Sequence, residues 1–116
     1  MAKIKDPHNY YLEKLINELH KVDENRNDLC WVMKEGLYFK PKMHTNLCLC
    51  DLILGYYSKP VTCIELKGSR KKENHAIKQL YSAYEFVNRH LNLEVDMLKV
   101  VYYGNKIFEY KIIDLP

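Results

Sequence analysis

The chain has 116 residues, 47% hydrophobic and 28% charged, which suits one domain whose core closes without disulfide or metal staples. No apolar run approaches the roughly 20 residues of a membrane helix, and the opening "MAKIKDPHNYY" has no apolar signal segment, so a cytoplasmic location (cellular or host-cell) is expected and a membrane partner is not. The net charge of +3 neither requires nor excludes a polyanionic partner by its size alone.

In chain order, "DPHNYYLEKLINELHKV" opens with the helix-start pair Asp6-Pro7. Leu12, Leu15, Ile16 and Leu19 then recur at helical spacing on one face. Glu13 sits at the edge of that face and Glu18 further round. "DENRND" ends the helix. "LCWVMKEG" is compatible with strand or helix, and Pro41 in "LYFKPK" argues against a central strand there. "TNLCLCDLILGYY" predicts a strand over about Leu47–Leu54, ending at Gly55. "KPVTCIELKG" predicts a second, Val61–Lys67, and the short "GYYSKP" connection makes the two an antiparallel hairpin. "KENHAIKQLYSAYEFVNRHL" is a helix buried through Ala76, Ile77, Leu80, Ala83, Tyr84 and Val87. "DMLKVVYYG" and "KIFEYKIIDL" read as two more strands. The expected fold is a single α/β (α+β) domain, 1–116, with a central mixed sheet flanked by helices.

Of the four cysteines, Cys48 and Cys50 form C-x-C in a strand-like run. No second pair follows at zinc-site spacing. They are read as small buried hydrophobes. The histidines show no metal-ligand spacing.

Asp51 and Glu65 interrupt the two most apolar strands, and charged side chains are seldom buried unless paired or metal-bound. Side chains alternate faces along a strand, so Glu65 and Lys67 share a face with Cys63, while Ile64 and Leu66 point the other way. With Asp51 near the end of the adjoining strand, three charged groups converge. Two close carboxylates raise each other's pKa, and a divalent cation reverses this. A few carboxylate oxygens suit Mg²⁺, which keeps waters for substrate oxygens to replace. A nearby ammonium orients water or balances charge on a phosphoryl group.

Asp51 followed by Glu65-Leu66-Lys67 resembles the signature of the PD-(D/E)xK nuclease superfamily. The order of elements is similar too, over about residues 8–103: a helix with a Glu, the Asp strand, the ExK strand, then a helix with a Gln. The resemblance implies a restriction-endonuclease-like core and a Mg²⁺-dependent deoxyribonuclease, with Mn²⁺ as substitute. It implies that Asp51 and Glu65 bind the metal with the Leu66 carbonyl, that Glu13, ahead of Glu18, completes the site, and that Lys67 assists the attacking water. Gln79 matches the family's helix Gln, near the scissile phosphate or a base edge. Cys50 stands where many members have Pro. In size and order the chain is similar to archaeal and viral Holliday-junction resolvases. Its "DLIL…IELKG…QL" run is similar to stand-alone VRR-NUC modules.

Lys67 through Lys78 holds five Lys or Arg residues, both ends included, and one acid, Glu73. Arg70, Lys71, Lys72 and Lys78 are therefore expected phosphate contacts without base specificity. Tyr56, Tyr57, Tyr81 and Tyr84 are candidate stacking residues. The expected partner is DNA, with branched or four-way-junction DNA as a candidate substrate. Symmetric cleavage of a junction would favour a homodimer. The "KVVYYG" and "FEYKIIDLP" segments fit an interface or sheet core, and core is the expectation. The competing readings are an inactive nucleic-acid-binding or assembly module with the same fold, and an unrelated α/β interaction protein.

Overall fold

A computed structural model describes residues 6–40, 45–48, 50–104 and 108–116, with backbone alone for 37–40 and 45–48. Helix α1 (Pro7–Asn17) is followed by strands β1 (Leu29–Lys34), β2 (Leu37–Lys40), β3 (Thr45–Cys48), β4 (Leu52–Tyr56) and β5 (Val61–Lys67). Helix α2 (Glu73–His90) and strands β6 (Val95–Tyr102) and β7 (Glu109–Ile113) complete the order. One five-stranded sheet runs β1-β4-β5-β6-β7, and β2 and β3 form a separate two-stranded ribbon. The β4–β5 pair is antiparallel, as the short connection predicts, whereas β5 and β6 are parallel. A parallel pair needs a long crossover, and α2 supplies it. The result is the expected α+β mixed sheet.

The sheet is buried on both faces at its centre because the two strand periodicities feed two cores. Val61, Cys63, Leu98 and Val100 pack with Ala76, Leu80, Ala83 and Val87 of α2. Leu52, Leu54, Ile64, Leu66 and Val101 pack with Leu12 and Leu15 of α1. Each such fully buried Leu or Ile contributes roughly 1.5–3 kcal/mol relative to exposure. The 11 residues of α1 are too few for a stable isolated helix, so its packing and its cap hold it. Asp6 accepts the Asn9 N–H at 3.1 Å, with Pro7 in the first turn. The segment after α1 is anchored on the same side. Tyr56 donates its hydroxyl to Asp23 at 2.8 Å, and the buried Lys99 ammonium donates to the Val22 carbonyl.

Three expectations change. "LCWVMKEG" is the edge strand β1, antiparallel to β4. The predicted strand Leu47–Leu54 is two strands: β3 stops at Cys48 and β4 starts at Leu52, with Leu49 outside the described residues. Gly55 does not end its strand but sits within β4 opposite Trp31. A Cβ there would lie 1.9 Å from the indole, so Gly55 makes room for a ring rather than a turn. The segment over "KVVYYG" is sheet core, buried from Leu98 to Tyr102, whereas "FEYKIIDLP" is not, with Phe108 and Ile113 buried and Tyr110, Ile112 and Leu115 exposed on the edge strand and tail. Lys106 and Ile107, at the start of the last predicted strand, lie outside the described residues.

Candidate functional site

Asp51 sits where the β1–β4 ladder passes into the β2–β3 ribbon. Lys34 pairs with Leu52 and Leu37 with Cys48, so three steps on one strand oppose four on the other. The Asp51 carbonyl still accepts the Glu35 N–H at 2.7 Å, and Glu35 takes a positive φ of 49° at the bend. The Asp51 N–H instead donates across the sheet to Glu65 Oε1 at 3.0 Å. In return, the Asp51 carboxylate accepts the Leu66 N–H at 2.7 Å. Both acids are buried.

Glu65 faces the α2 side with Cys63, and Lys67 follows on the same side. Its ammonium lies 3.4 Å from Glu65 Oε2. Burial pushes the Glu65 carboxyl up to about 8, and the neighbouring Asp51 carboxylate adds to the rise, against the pull of Lys67. Below the pair, Cys50 and Cys63 are reduced thiols. Their mutual hydrogen bond, then burial, holds the Cys50 thiol well above its ordinary pKa. They form an uncharged floor, and the Cys48 side chain lies outside the described residues.

A residue that spacing did not single out completes the cluster. His8, in the first turn of α1, places Nε2 3.2 Å from Asp51 Oδ2. Its signal was the helix-start itself: a short helix packed across β4 and β5 has to bring one end to the Asp51 end of the sheet. Tyr103 was missed in the same way. It follows β6, whose carboxyl end lies beside that of β5, and carboxyl ends of parallel strands are where such folds gather sites. Tyr103 stacks on Tyr11 with ring centres 4.4 Å apart. Burial, then Asp6, Tyr11 and Asp51 nearby, raise its hydroxyl pKa.

Glu13 is not brought to Asp51 and Glu65. It is half exposed and pairs with Lys34 of β1, whose side chain lies on the α1 layer because Lys34 faces Leu52. Glu18, beyond the other end of α1, pairs with Lys21 at 2.9 Å and Lys14 at 3.9 Å. Among the described residues, no group of three His, Cys, Asp or Glu side chains is arranged to hold a metal. Asp51 and Glu65 are thus the two acidic candidates, with main-chain oxygen such as that of Leu66 beside them.

Gln79 lies on α2. The Tyr81 hydroxyl donates to the Asp114 carbonyl at 3.1 Å, which fixes that flank of the helix toward β7. Two residues turn a helix by about 200°, so Gln79 is on the flank opposite Tyr81. Its Oε1 is buried without a hydrogen-bond partner. Arg70, Lys71 and Lys72 form a short 3₁₀ turn ahead of α2, capped by Ser69 Oγ accepting the Lys71 N–H at 3.1 Å. Arg70 is engaged with Glu109 at 2.8 Å and lies over the Tyr102 ring. Lys71, Lys72 and Lys78 are exposed. Tyr56 and Tyr57, by contrast, are at the far end of β4 from Asp51, Tyr84 packs against the α2 core, and Tyr81 is tied to Asp114, so none of the four stacking candidates is at the acids.

The arrangement offers two buried carboxylates, an ammonium on one and an imidazole on the other, at the open end of a sheet. Such a pair is electrostatically costly until a cation or proton joins it. No family model, curated protein or solved structure matches this chain.

Proposed function

We propose that the chain is a PD-(D/E)xK-type endonuclease that hydrolyses phosphodiester bonds in DNA with Mg²⁺, or Mn²⁺ in its place. The observation that carries this reading is the reciprocal Asp51–Glu65 pair with Lys67 3.4 Å from Glu65. The donor set fits a hard divalent cation: two carboxylates with lone pairs to spare, one of them held neutral by burial and by the other's charge. Asp51, Glu65 and the Leu66 carbonyl would hold the ion, which supplies charge stabilisation at the phosphoryl oxygens and a more acidic water.

The remaining chemistry belongs to the chain. The Leu66 N–H fixes the Asp51 carboxylate, and His8 holds its Oδ2 from the helix side. Lys67 would orient the attacking water. As the water oxygen bonds to phosphorus it gives up a proton to solvent, the bond to the leaving oxygen breaks, and that oxygen takes up a proton from solvent. Gln79 would donate its amide N–H to the phosphate or meet a base edge. Lys71, Lys72 and Lys78, with Arg70, neutralise flanking phosphates without reading sequence.

The test is cleavage of duplex, flap and four-way-junction DNA, and of RNA, with Mg²⁺ or Mn²⁺. Wild type should cut, Asp51→Asn and Glu65→Gln should not, and Lys67→Ala should lose roughly 10²–10⁴-fold. Equal cutting by wild type and Glu65→Gln would sink the assignment. A second reading has its own support: the Lys67 ammonium and the His8 ring already partner the two acids, as in an inactive nucleic-acid-binding module. Calorimetry showing DNA binding with steep salt dependence but no uptake of Mn²⁺ would favour it.

A further inference from the structure

The basic turn beside the site is engaged before any substrate arrives. Arg70 opens the 3₁₀ turn that follows β5, and its guanidinium donates to Glu109 Oε2 at 2.8 Å. The same group lies over the Tyr102 ring, 4.7 Å from its centre. Tyr102 and Glu109 are cross-strand partners at the carboxyl end of β6, so they share a face, and Arg70 lies against both. Glu109 and Lys111 alternate with Tyr110 along β7 and share that face as well. The second acid there is Glu73, in the first turn of α2. It accepts from the Tyr102 hydroxyl and from Lys111, the latter at 3.2 Å. Those two bonds hold its carboxyl below the usual range, so Glu73 is tied to β6 and β7, and Arg70 is left matched to Glu109. The Arg70 and Glu109 side chains are 62% and 43% exposed, so this pair meets solvent at the rim. Lys71 and Lys72, on the same turn, are exposed and have no acidic partner among the described residues.

We infer that Glu109 is a displaceable substitute for a backbone phosphate: it holds Arg70 at the rim until DNA binds, and the guanidinium then passes from the carboxylate to the phosphate. The planar fork of an Arg matches either anion through two parallel hydrogen bonds. An exposed ion pair is weak in water, so a polyanion that also meets Lys71 and Lys72 can displace it. The Tyr102 ring supports the guanidinium in both states. Breaking the pair sets a penalty on binding that falls on Arg70 and spares the two lysines. The inference rests on the nucleic-acid reading of the neighbouring site.

The experiment is equilibrium binding of a labelled DNA duplex to the full chain in EDTA across a salt series. It compares wild type, Glu109→Gln, Arg70→Ala, the double variant and Glu85→Gln. Glu85 pairs with Arg89 at 3.3 Å near the other end of α2, so Glu85→Gln frees an Arg by the same loss of charge away from the site. Glu109→Gln is expected to tighten binding about 2–5-fold, the worth of an exposed ion pair, and to steepen the slope of log K against log salt by up to about 1. Arg70→Ala should weaken binding. In that background Glu109→Gln should gain nothing, because its gain is the release of Arg70. Glu85→Gln should gain less than Glu109→Gln. Thermal midpoints are compared to show that each variant folds. If wild type binds but Glu109→Gln gains as much without Arg70 as with it, Glu109 only repels DNA; the exchange is overturned and the nucleic-acid reading stands. If wild type binds and Glu109→Gln equals it in affinity and slope, the exchange is likewise overturned. If wild type neither binds nor cuts DNA, the reading beneath it falls and takes the exchange with it.

Discussion

Asp51 and Glu65 hold each other through the backbone: the Asp51 N–H donates to Glu65 Oε1, and the Leu66 N–H, next to Glu65, donates to Asp51 Oδ2. Each carboxylate is therefore aimed by the other's strand, and neither can move without breaking a buried bond. That fixation keeps two like charges close in a poorly solvated place. Glu65→Gln removes one charge while its amide oxygen still accepts the Asp51 N–H. In EDTA at pH 8, this variant is expected to be more stable than wild type by about 1–3 kcal/mol, the scale on which removal of ill-matched buried charge stabilises folds. Added Mn²⁺ should raise the thermal midpoint of wild type and leave Glu65→Gln unchanged. Denaturant melts with and without the metal measure both, and an unchanged wild-type midpoint would remove the metal from this site.

The raised Glu65 pKa gives the metal-free protein a pH signature. The unfolded carboxyl titrates near 4.5 and the folded one near 8. Below about 4.5 both states are protonated and the group makes no difference to stability. Between the two values the folded state binds more protons than the unfolded, so stability falls as pH rises, and above about 8 the full penalty is present. Urea melts in EDTA from pH 4.5 to 8.5 should show this decline, and Glu65→Gln should flatten it. The same window predicts that Mn²⁺ binding releases protons and tightens toward pH 8. A wild-type decline no steeper than that of Glu65→Gln would refute the assignment.

His8 and Glu13 lie in successive turns of α1 with opposite fates. His8 meets Asp51, whereas Glu13 meets Lys34 in a half-exposed pair. Exposed pairs contribute about 0–1 kcal/mol, so Glu13→Ala should alter stability within that range and leave cleavage and Mn²⁺ affinity near wild type. His8→Ala should weaken Mn²⁺ affinity roughly 10–100-fold, as loss of a partner that orients a ligand commonly does. Isothermal titration with Mn²⁺ separates the two. A large loss in Glu13→Ala would restore the helix Glu as a ligand.

The parts that the sequence made legible are those with a strong period. The β4–β5 hairpin, the α2 face and the sharing of one face by Glu65 and Lys67 follow from alternation and helical spacing, and the structure has them. What was not legible depends on irregularity or on long-range placement. The apolar run "LCLCDLIL" reads as one strand because hydrophobicity does not encode where a ladder stops; the Asp51 N–H donates to the Glu65 side chain rather than to a backbone partner. Glu13 was preferred to Glu18 from its place on the helix face, yet it pairs with Lys34 while His8, which spacing did not single out, meets Asp51. The face of a helix can be read from spacing, but the end that meets the site is a property of the packed sheet.

Trp31 and Gly55 provide a test of the edge of the fold that does not involve the acids. The indole of the chain's single Trp lies over Gly55, and an added Cβ would come within 1.9–2.4 Å of three of its ring atoms. The ring must leave if Gly55 becomes Ala, because β4 is fixed between β1 and β5 while β1 is an edge strand with an exposed face. Trp31 is already 37% exposed, so the ring swings outward rather than disrupting the core. The cost should be about 1–3 kcal/mol, the usual range for overpacking. Gly55→Ala should therefore show red-shifted tryptophan emission, faster acrylamide quenching and a lower urea midpoint. Cleavage should persist, since Gly55 is near the end of β4 remote from Asp51. Unchanged emission with unchanged stability would mean that Trp31 does not rest on Gly55 in solution.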